Sequence, residues 1–228
     1  MSKMMEQLRS AILGRSPLVY IYSPEEERIM RGIRSLAEEQ SQNVMTWSCV
    51  LGLEGAGPET NDPVEAIMTI IRQGLTGMIV CKDLAPFLHE PRVERALREA
   101  YYDGRTKPER TLFLLCAELN VPESLKKEVH VLEIPTPGED EILALIHEVS
   151  TANPDYTIPE EALREVTLAL RGLTENEIGY VLHRVCRLQD ATKDQLLDEI
   201  FAEKKSIVKK SGFLEFSPPR WAIDGLGG

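Results

Sequence analysis

The sequence has few of the residue patterns from which catalytic and metal sites are built. Its four cysteines and four histidines include no C-x-x-C pair and no H-x-x-x-H pair. This spacing disfavours a zinc site or a disulfide framework and favours reduced cysteines buried in apolar segments. The cysteines are Cys49, Cys81, Cys116 and Cys186. No nucleophile–base pair and no paired-carboxylate motif is visible, so we predict no catalytic residue and no metal ligand.

Long apolar runs and an excess of positive charge are also missing. The 228 residues are 43% hydrophobic and 28% charged, as in ordinary globular proteins. No apolar run reaches the length of a membrane span, and the first residues do not resemble a signal peptide, so we expect a cytoplasmic protein without a membrane partner. The formal net charge of −11 disfavours nucleic-acid binding, because contacts to phosphates need a basic surface.

The turn after the first predicted strand lacks a phosphate-binding loop. Such a loop needs glycines so that backbone N–H groups can surround the phosphates, a lysine that supplies positive charge, and a serine or threonine that binds magnesium. Residues 23–27 read Ser-Pro-Glu-Glu-Glu, with no glycine and no lysine. Each acid near a phosphate would cost about 1–4 kcal/mol, whereas a helix N-terminus contributes only about 0.3–2 kcal/mol. The turn is therefore predicted not to bind nucleotide.

The same residues predict the start of a helix. Ser23 is a favourable N-cap, Pro24 suits the first helical position, and Glu26 completes a capping box. We expect Glu25, Glu26 and Glu27 to complement the dipole of this helix.

Strands and helices then alternate through the first two thirds of the chain. Short apolar runs predict strands at 18–22, 44–51, 78–81, 111–116 and 129–134, and amphipathic helices lie between most of them. This alternation predicts an α/β core with a five-stranded parallel sheet. The glycine-rich segment 51–57 leads into a long connection rather than a tight turn, so we interpret it as a mobile surface loop.

The pattern changes after residue 150. Residues 151–155 read as a linker, and helices are predicted at about 159–170, 175–188 and 193–209. We therefore predict three segments: an α/β core over 1–150, a small all-helical domain over 151–211, and an extended linker over 212–228.

Two further strand exits carry polar residues. Asp83 follows the third predicted strand, but Leu84 stands where a catalytic glutamate would be needed, so a turn-forming acid is favoured over a magnesium ligand. Asn120 follows the fourth strand. It is either a polar residue of the ligand crevice at the ends of the strands or a residue that only shapes the loop.

Several stretches, in this order, resemble an AAA+ ATPase domain. Residues 120–125, Asn-Val-Pro-Glu-Ser-Leu, are similar to the segment whose asparagine senses the γ-phosphate; residues 131–139 resemble the fifth strand and the entry to the lid; and residues 170–178 resemble the lid. Residues 17–20, 23–28, 82–87 and 212–216 are similar to the N-terminal half of the tandem AAA+ ATPases known as a hypothetical chloroplast reading frame (Ycf type) and their bacterial relatives.

The resemblance implies a P-loop-NTPase-like (AAA+) core followed by a small helical lid, in which Ser23, Glu25, Glu26, Glu27, Asp83 and Asn120 occupy a vestigial nucleotide pocket. It implies a degenerate first module before an active second one, with ATP and magnesium used by that second module alone, in a bacterial cytoplasm or plastid stroma. Residues 126–128, Lys-Lys-Glu, shorten the stretch that carries arginine fingers in the family.

Three functions stay open at this point. The first is a non-catalytic module that serves assembly, regulation or substrate engagement for a C-terminal AAA+ module, in a possible homo-oligomeric ring. The second is a free-standing, nucleotide-free protein-binding subunit similar to those of clamp loaders. The third is an enzyme of another doubly wound class that uses Asp83, Asn120 or an acidic residue of a loop.

Overall fold

A computed structural model of the chain describes residues 2–153, 158–185 and 192–211. The predicted linker 212–228, Cys186 and part of the predicted linker 151–155 lie outside the described residues. The chain divides into two compact units, at Pro135 and Thr136.

The first unit is built on a six-stranded sheet. The strands are β1 (Leu18–Tyr22), β2 (Val44–Ser48), β3 (Gly52–Leu53), β4 (Gly77–Lys82), β5 (Arg110–Cys116) and β6 (His130–Glu133), in the spatial order β3-β2-β4-β5-β1-β6. All five predicted strands are present and pair in parallel. The α/β prediction is thus confirmed, with one short antiparallel strand added.

That added strand corrects the prediction of a mobile loop. The Leu53 amide donates to Thr60 Oγ1 (2.9 Å), and the buried Trp47 indole donates to the Thr60 carbonyl (2.6 Å). Gly52 has a φ of +72°, and a Cβ there would lie 2.7 Å from Thr60 Oγ1. The glycine therefore permits a tight return of the chain onto β2.

Four helices cover the two faces of the sheet. Helices α1 (Lys3–Leu13) and α2 (Glu26–Glu39) pack on the side chains of Val19 and Ile21. Helices α3 (Pro63–Arg72) and α4 (Pro91–Gly104) pack on the opposite face, which includes Leu18 and Tyr20. Because neighbouring strand residues point to opposite faces, the continuous apolar strands follow from burial on both sides.

An ion-pair cluster closes the C-terminal end of α4. The buried guanidinium of Arg110 donates to Asp103 Oδ2 (2.6 Å) and to the Ala100 carbonyl (3.3 Å), and Lys107 Nζ donates to Asp103 Oδ2 (2.9 Å). Burial alone would raise the pKa of Asp103, but the hydrogen bonds from Lys107 and Arg110 outweigh it and hold this pKa below its usual value. The cluster joins the last turn of α4 to the start of β5.

The described residues of the second unit form helices and the turns between them. The unit contains α5 (Glu139–Ala152), α6 (Leu163–Leu170), α7 (Glu175–Val185) and α8 (Lys193–Ser211). A capping box begins α7, because the Thr174 amide donates to Glu177 Oε2 (2.8 Å) and the Glu177 amide to Thr174 Oγ1 (3.3 Å). Lys204 of α8 donates to the Ala169 carbonyl (2.9 Å) at the end of α6, and its partial burial lowers the pKa of this lysine.

The boundary between the units differs from the prediction. The sequence placed residues 1–150 in the α/β core and interpreted 151–155 as a linker. In the structure α5 runs to Ala152, and its Ile142 and Ile146 lie in the apolar core of the helical unit. The boundary thus lies about fifteen residues earlier, because the apolar stripe of α5 faces the other helices of its own unit. No described helix is long and apolar enough to cross a membrane.

Candidate functional site

The ends of the parallel strands bring the predicted site residues to one edge of the sheet. The Ser23 amide after β1 donates to the Cys116 carbonyl (3.0 Å), and the Asp83 amide after β4 donates to the Leu115 carbonyl (2.9 Å). The Ile134 amide after β6 donates to the Tyr22 carbonyl (3.2 Å). Parallel α/β sheets bind ligands at this edge, so it is the candidate nucleotide site.

The turn after β1 is filled by a buried ion pair. Glu25 and Arg28 are 5% and 4% exposed, and Arg28 Nη1 lies 2.6 Å from Glu25 Oε2. The same Nη1 donates to the carbonyl of Pro135 (2.8 Å), the last residue of the first unit. A carboxylate therefore stands where a phosphate would need backbone N–H groups, and a guanidinium ties this turn to the end of the sheet.

The start of α2 corrects the predicted cap. The helix begins at Glu26, and its N-cap residue Glu25 makes no capping hydrogen bond with its side chain. Ser23 is buried, and its hydroxyl accepts from the Glu25 amide (3.2 Å), which closes a local turn before the helix. The helix starts two residues later than predicted, because the carboxylate of Glu25 is taken up by Arg28.

The other two glutamates behave differently from Glu25. Glu26 and Glu27 lie in the first turn of α2, as expected for acids that complement the helix dipole. Glu26 Oε1 also lies 2.7 Å from Nζ of Lys82, the last residue of β4. The lysine nearest the site thus meets a carboxylate of this chain.

Asp83 forms a turn rather than part of a charged cluster. Its φ is +52°, in the left-handed region that aspartate tolerates better than most residues, and its side chain is exposed. No group of three or more potential ligands (His, Cys, Asp or Glu) that could hold a metal ion occurs within the described ranges.

Asn120 is held by residues of the neighbouring strand exit. Its Oδ1 accepts from His89 Nε2 (2.6 Å), its Nδ2 donates to the Ala85 carbonyl (3.4 Å), and its backbone amide donates to the hydroxyl of Tyr20 (3.3 Å). The Tyr20 hydroxyl in turn donates to the Glu118 carbonyl. This network joins the connection after β5 to the one after β4, with Tyr20 of β1 between them.

Burial makes the groups beneath this network poor acids. It raises the pKa of Tyr20 far above the usual value for a phenol, and the neighbouring Cys116 adds to the effect. Burial raises the pKa of Cys81 to about 12 and also raises the pKa of Cys116, although a hydrogen bond with Tyr20 opposes the rise at Cys116. These thiols are therefore protonated and inert at neutral pH. Cys49, predicted as a buried residue, is instead exposed, since β2 ends at Ser48.

Sequence reasoning identified Ser23, Glu25, Asp83 and Asn120 but missed the groups that hold them. Arg28 carried one signal, its position three residues after Glu25, which is the N-cap residue of the same helix. Tyr20 and His89 carried none, because their contacts join segments that are distant in sequence. The edge thus contains polar groups that bind one another.

Two family models match nearly the whole chain. The N-terminal domain of SpoVK-like AAA ATPases matches residues 4–134, and the second domain of the same proteins matches residues 140–211. The gap between the two matches contains the boundary at Pro135 that the structure shows.

Curated relatives include AAA domain-containing proteins named ycf46. The protein of Guillardia theta is 26% identical over 94% of this chain and 44% of its own length, and that of Pyropia yezoensis is 26% identical over 98% of this chain and 46% of its own. The chain therefore spans somewhat less than half the length of these relatives.

Solved structures show the same fold. The FIGL-1 AAA domain in complex with ADP is similar over 91% of this chain and 82% of its own, with a TM-score of 0.62 and 14% identity. A chain of the E. coli MS115-1 HORMA–CdnC–Trip13 complex is similar over 86% of this chain and 77% of its own, with a TM-score of 0.55 and 12% identity.

Proposed function

The chain belongs to the SpoVK-like AAA ATPases, and from that premise we propose that it is a non-catalytic N-terminal module of a longer AAA ATPase. In this proposal the degenerate module serves assembly, regulation or substrate engagement for an active second ATPase module. ATP and magnesium are used by the second module only, and the assembly is a cytoplasmic or stromal homo-oligomer.

The observation that carries the proposal is the buried Glu25–Arg28 pair in the turn after β1. A nucleotide phosphate in this turn would have to displace a carboxylate that is 2.6 Å from its guanidinium partner. It would also find no glycine or lysine among residues 23–27, and Pro24 has no N–H to offer. Removing one partner of a buried ion pair costs about 3–5 kcal/mol, which exceeds what the end of a helix contributes to anion binding.

Two further observations support loss of catalysis. The side chain of Asn120 is engaged by His89 and the Ala85 carbonyl, and it would have to leave both to reach a γ-phosphate. Lys82, at the end of β4, is paired with Glu26. The polar groups that would serve a nucleotide are thus partnered by this chain.

The extent of the match supports a module of a longer protein. The chain spans 44% and 46% of two curated relatives, so more than half of each of those proteins lies outside the matched part. Sequencing of the gene beyond codon 228 tests this directly. A Gly-x-x-x-x-Gly-Lys-Thr segment after a further strand is expected. A stop codon directly after Gly228 would instead favour the free-standing, protein-binding subunit.

Calorimetric titration of the 228-residue chain with ATP and magnesium tests the loss of the pocket. We expect no binding heat up to about 1 mM ATP, together with an unchanged thermal midpoint in the presence of the nucleotide. Circular dichroism of the same sample shows that the chain is folded. A dissociation constant below about 100 µM would refute a non-binding pocket.

A further inference from the structure

Helices α5 and α7 of the second unit form a groove of about 470 Å³. Leu145, Glu148, Val149 and Ala152 line it from α5, at the spacing of i, i+3, i+4 and i+7 that makes one continuous stripe of a helix. The stripe is apolar except for Glu148, whose side chain is exposed. Helix α7 lines the other side with Glu175, Asn176, Gly179, Tyr180 and His183. This surface is the α5/α7 groove.

Gly179 lies in the part of α7 that lines the groove. Glycine is the least favourable residue in a helix interior after proline, because it exposes backbone and loses the most conformational entropy. A Cβ added at Gly179 would meet no heavy atom within 4 Å. The packing of the described residues therefore does not require a glycine here.

The other glycines within the described helices have an evident reason. A Cβ on Gly32 of α2 would lie 3.1 Å from Met4 and Met5, where α1 crosses α2. A Cβ on Gly104 of α4 would lie 2.8 Å from Pro17. At Gly104 the neighbouring segment lies too close for a side chain, whereas at Gly32 the ends of two flexible methionine side chains would have to shift. Gly179 has no such neighbour among the described residues.

The residue beside Gly179 is an exposed aromatic side chain. Tyr180 is 56% exposed, and aromatic side chains with a polar tip of this kind are enriched at interfaces. The guanidinium of Arg184 lies 5.8 Å from its ring centroid, and Arg184 Nη1 is itself 3.0 Å from Glu203 Oε1. The ring is thus held as a preorganised wall of the groove, and aromatic residues of this kind are common anchors of interfaces.

We propose that the α5/α7 groove is the docking site for an amphipathic helix of a partner protein that presents a basic residue. The apolar face of that helix would cross α7 over Gly179 and pack on Leu145, Val149 and Ala152. Its basic side chain would lie against Glu148, which supplies the charge complementarity. In this mode of binding a helix lies in a groove between two helices. It adds a partner-binding role to the non-catalytic module proposed above.

A pair of labelled peptides tests this proposal on the full chain. The first is a peptide of about 18 residues with leucine and alanine on one helical face and lysines beside it, and the second has glutamate in place of lysine. Fluorescence anisotropy is expected to show micromolar binding of the basic peptide and binding at least about tenfold weaker for the acidic one.

Substitutions at the groove separate docking from folding. Gly179→Ala is expected to raise the thermal midpoint by about 2–4 °C and yet weaken binding of the basic peptide by about tenfold or more, because its methyl group obstructs the crossing. Glu148→Lys should reverse the preference between the peptides. Ala144→Leu adds a side chain on an exposed part of α5 outside the groove and should leave binding unchanged.

The outcomes against the proposal are equally distinct. Absence of binding of the basic peptide at about 100 µM would overturn the choice of occupant. Equal binding of both peptides, or binding that Gly179→Ala leaves intact, would show that the α5/α7 groove is not the site. None of these outcomes bears on nucleotide binding by the first unit, so the two proposals can fail separately.

Discussion

Replacing Arg28 with methionine should destabilise the first unit strongly. The substitution keeps most of the apolar stem but removes the guanidinium nitrogen that lies 2.6 Å from the buried Glu25 carboxylate and 2.8 Å from the Pro135 carbonyl. Breaking a buried ion pair from one side costs about 3–5 kcal/mol. For a unit of this size we expect a loss of roughly 10–20 °C in the thermal midpoint.

Urea unfolding followed by circular dichroism measures the effect. The matched control is Arg72→Met, because Arg72 and Glu65 form an ion pair of 3.5 Å with 63% and 42% of their side chains exposed. Such an exposed pair contributes about 0.2–1 kcal/mol. The double variant Glu25→Leu with Arg28→Met should recover much of the loss, since a buried pair is often replaceable by apolar residues of similar volume.

If Arg28→Met lowers the free energy of unfolding by an amount within about 1 kcal/mol of that for Arg72→Met, this reasoning is contradicted. Such a result would show that water enters the turn or that Glu25 becomes neutral at little cost. A double variant less stable than Arg28→Met alone would also contradict it, because the broken Glu25–Arg28 pair would then not be the source of the lost stability.

Three further predictions concern other groups. The pKa of Asp103 is lowered in the folded protein. Its contribution to stability is therefore full above its unfolded pKa, about 3.9, and is lost as the pH falls through the lower, folded value. The difference in urea midpoint between the native chain and Asp103→Asn should shrink from about pH 5 downwards. Brief thiol labelling at pH 8, mapped by mass spectrometry, should modify Cys49 and leave Cys81 and Cys116 unmodified until denaturant is added. Modification of Cys81 and Cys116 at a rate similar to that of Cys49 would refute their burial. Lys204→Met should destabilise the second unit by about 1–2 kcal/mol through loss of its hydrogen bonds to the end of α6, and an unchanged urea midpoint would show that water replaces them.

Much of the fold could be predicted because it follows from local patterns. Asp62 followed by Pro63 is a typical start of a helix, and Asp62 Oδ1 accepts from the amides of Val64 (2.9 Å) and Glu65 (3.0 Å) at the start of α3. The apolar runs of β1, β4 and β5 predicted strands buried on both faces. These signals lie within a few residues of one another, so one sequence is enough to read them.

The remainder depends on contacts between distant segments. β3 has two residues and is recognisable only through Thr60, which lies beyond it in the chain. The boundary at Pro135 was misplaced because the apolar stripe of α5 does not reveal which core it packs against. At the candidate site, the negative charge of Glu25 could be predicted from the sequence. The burial of its side chain could not, because it depends on Arg28 and on the end of β6.

The bond from Arg28 to the Pro135 carbonyl has a mechanical consequence. β6 is a four-residue strand at the edge of the sheet, and the chain leaves it through Pro135 to enter the second unit. Tension along the chain from that unit would otherwise act first on the edge strand, whose hydrogen bonds could open one after another. Because Arg28 of α2 donates to the Pro135 carbonyl at this exit, we expect α2 and its core contacts to carry part of the force before the hydrogen bonds of β6 break.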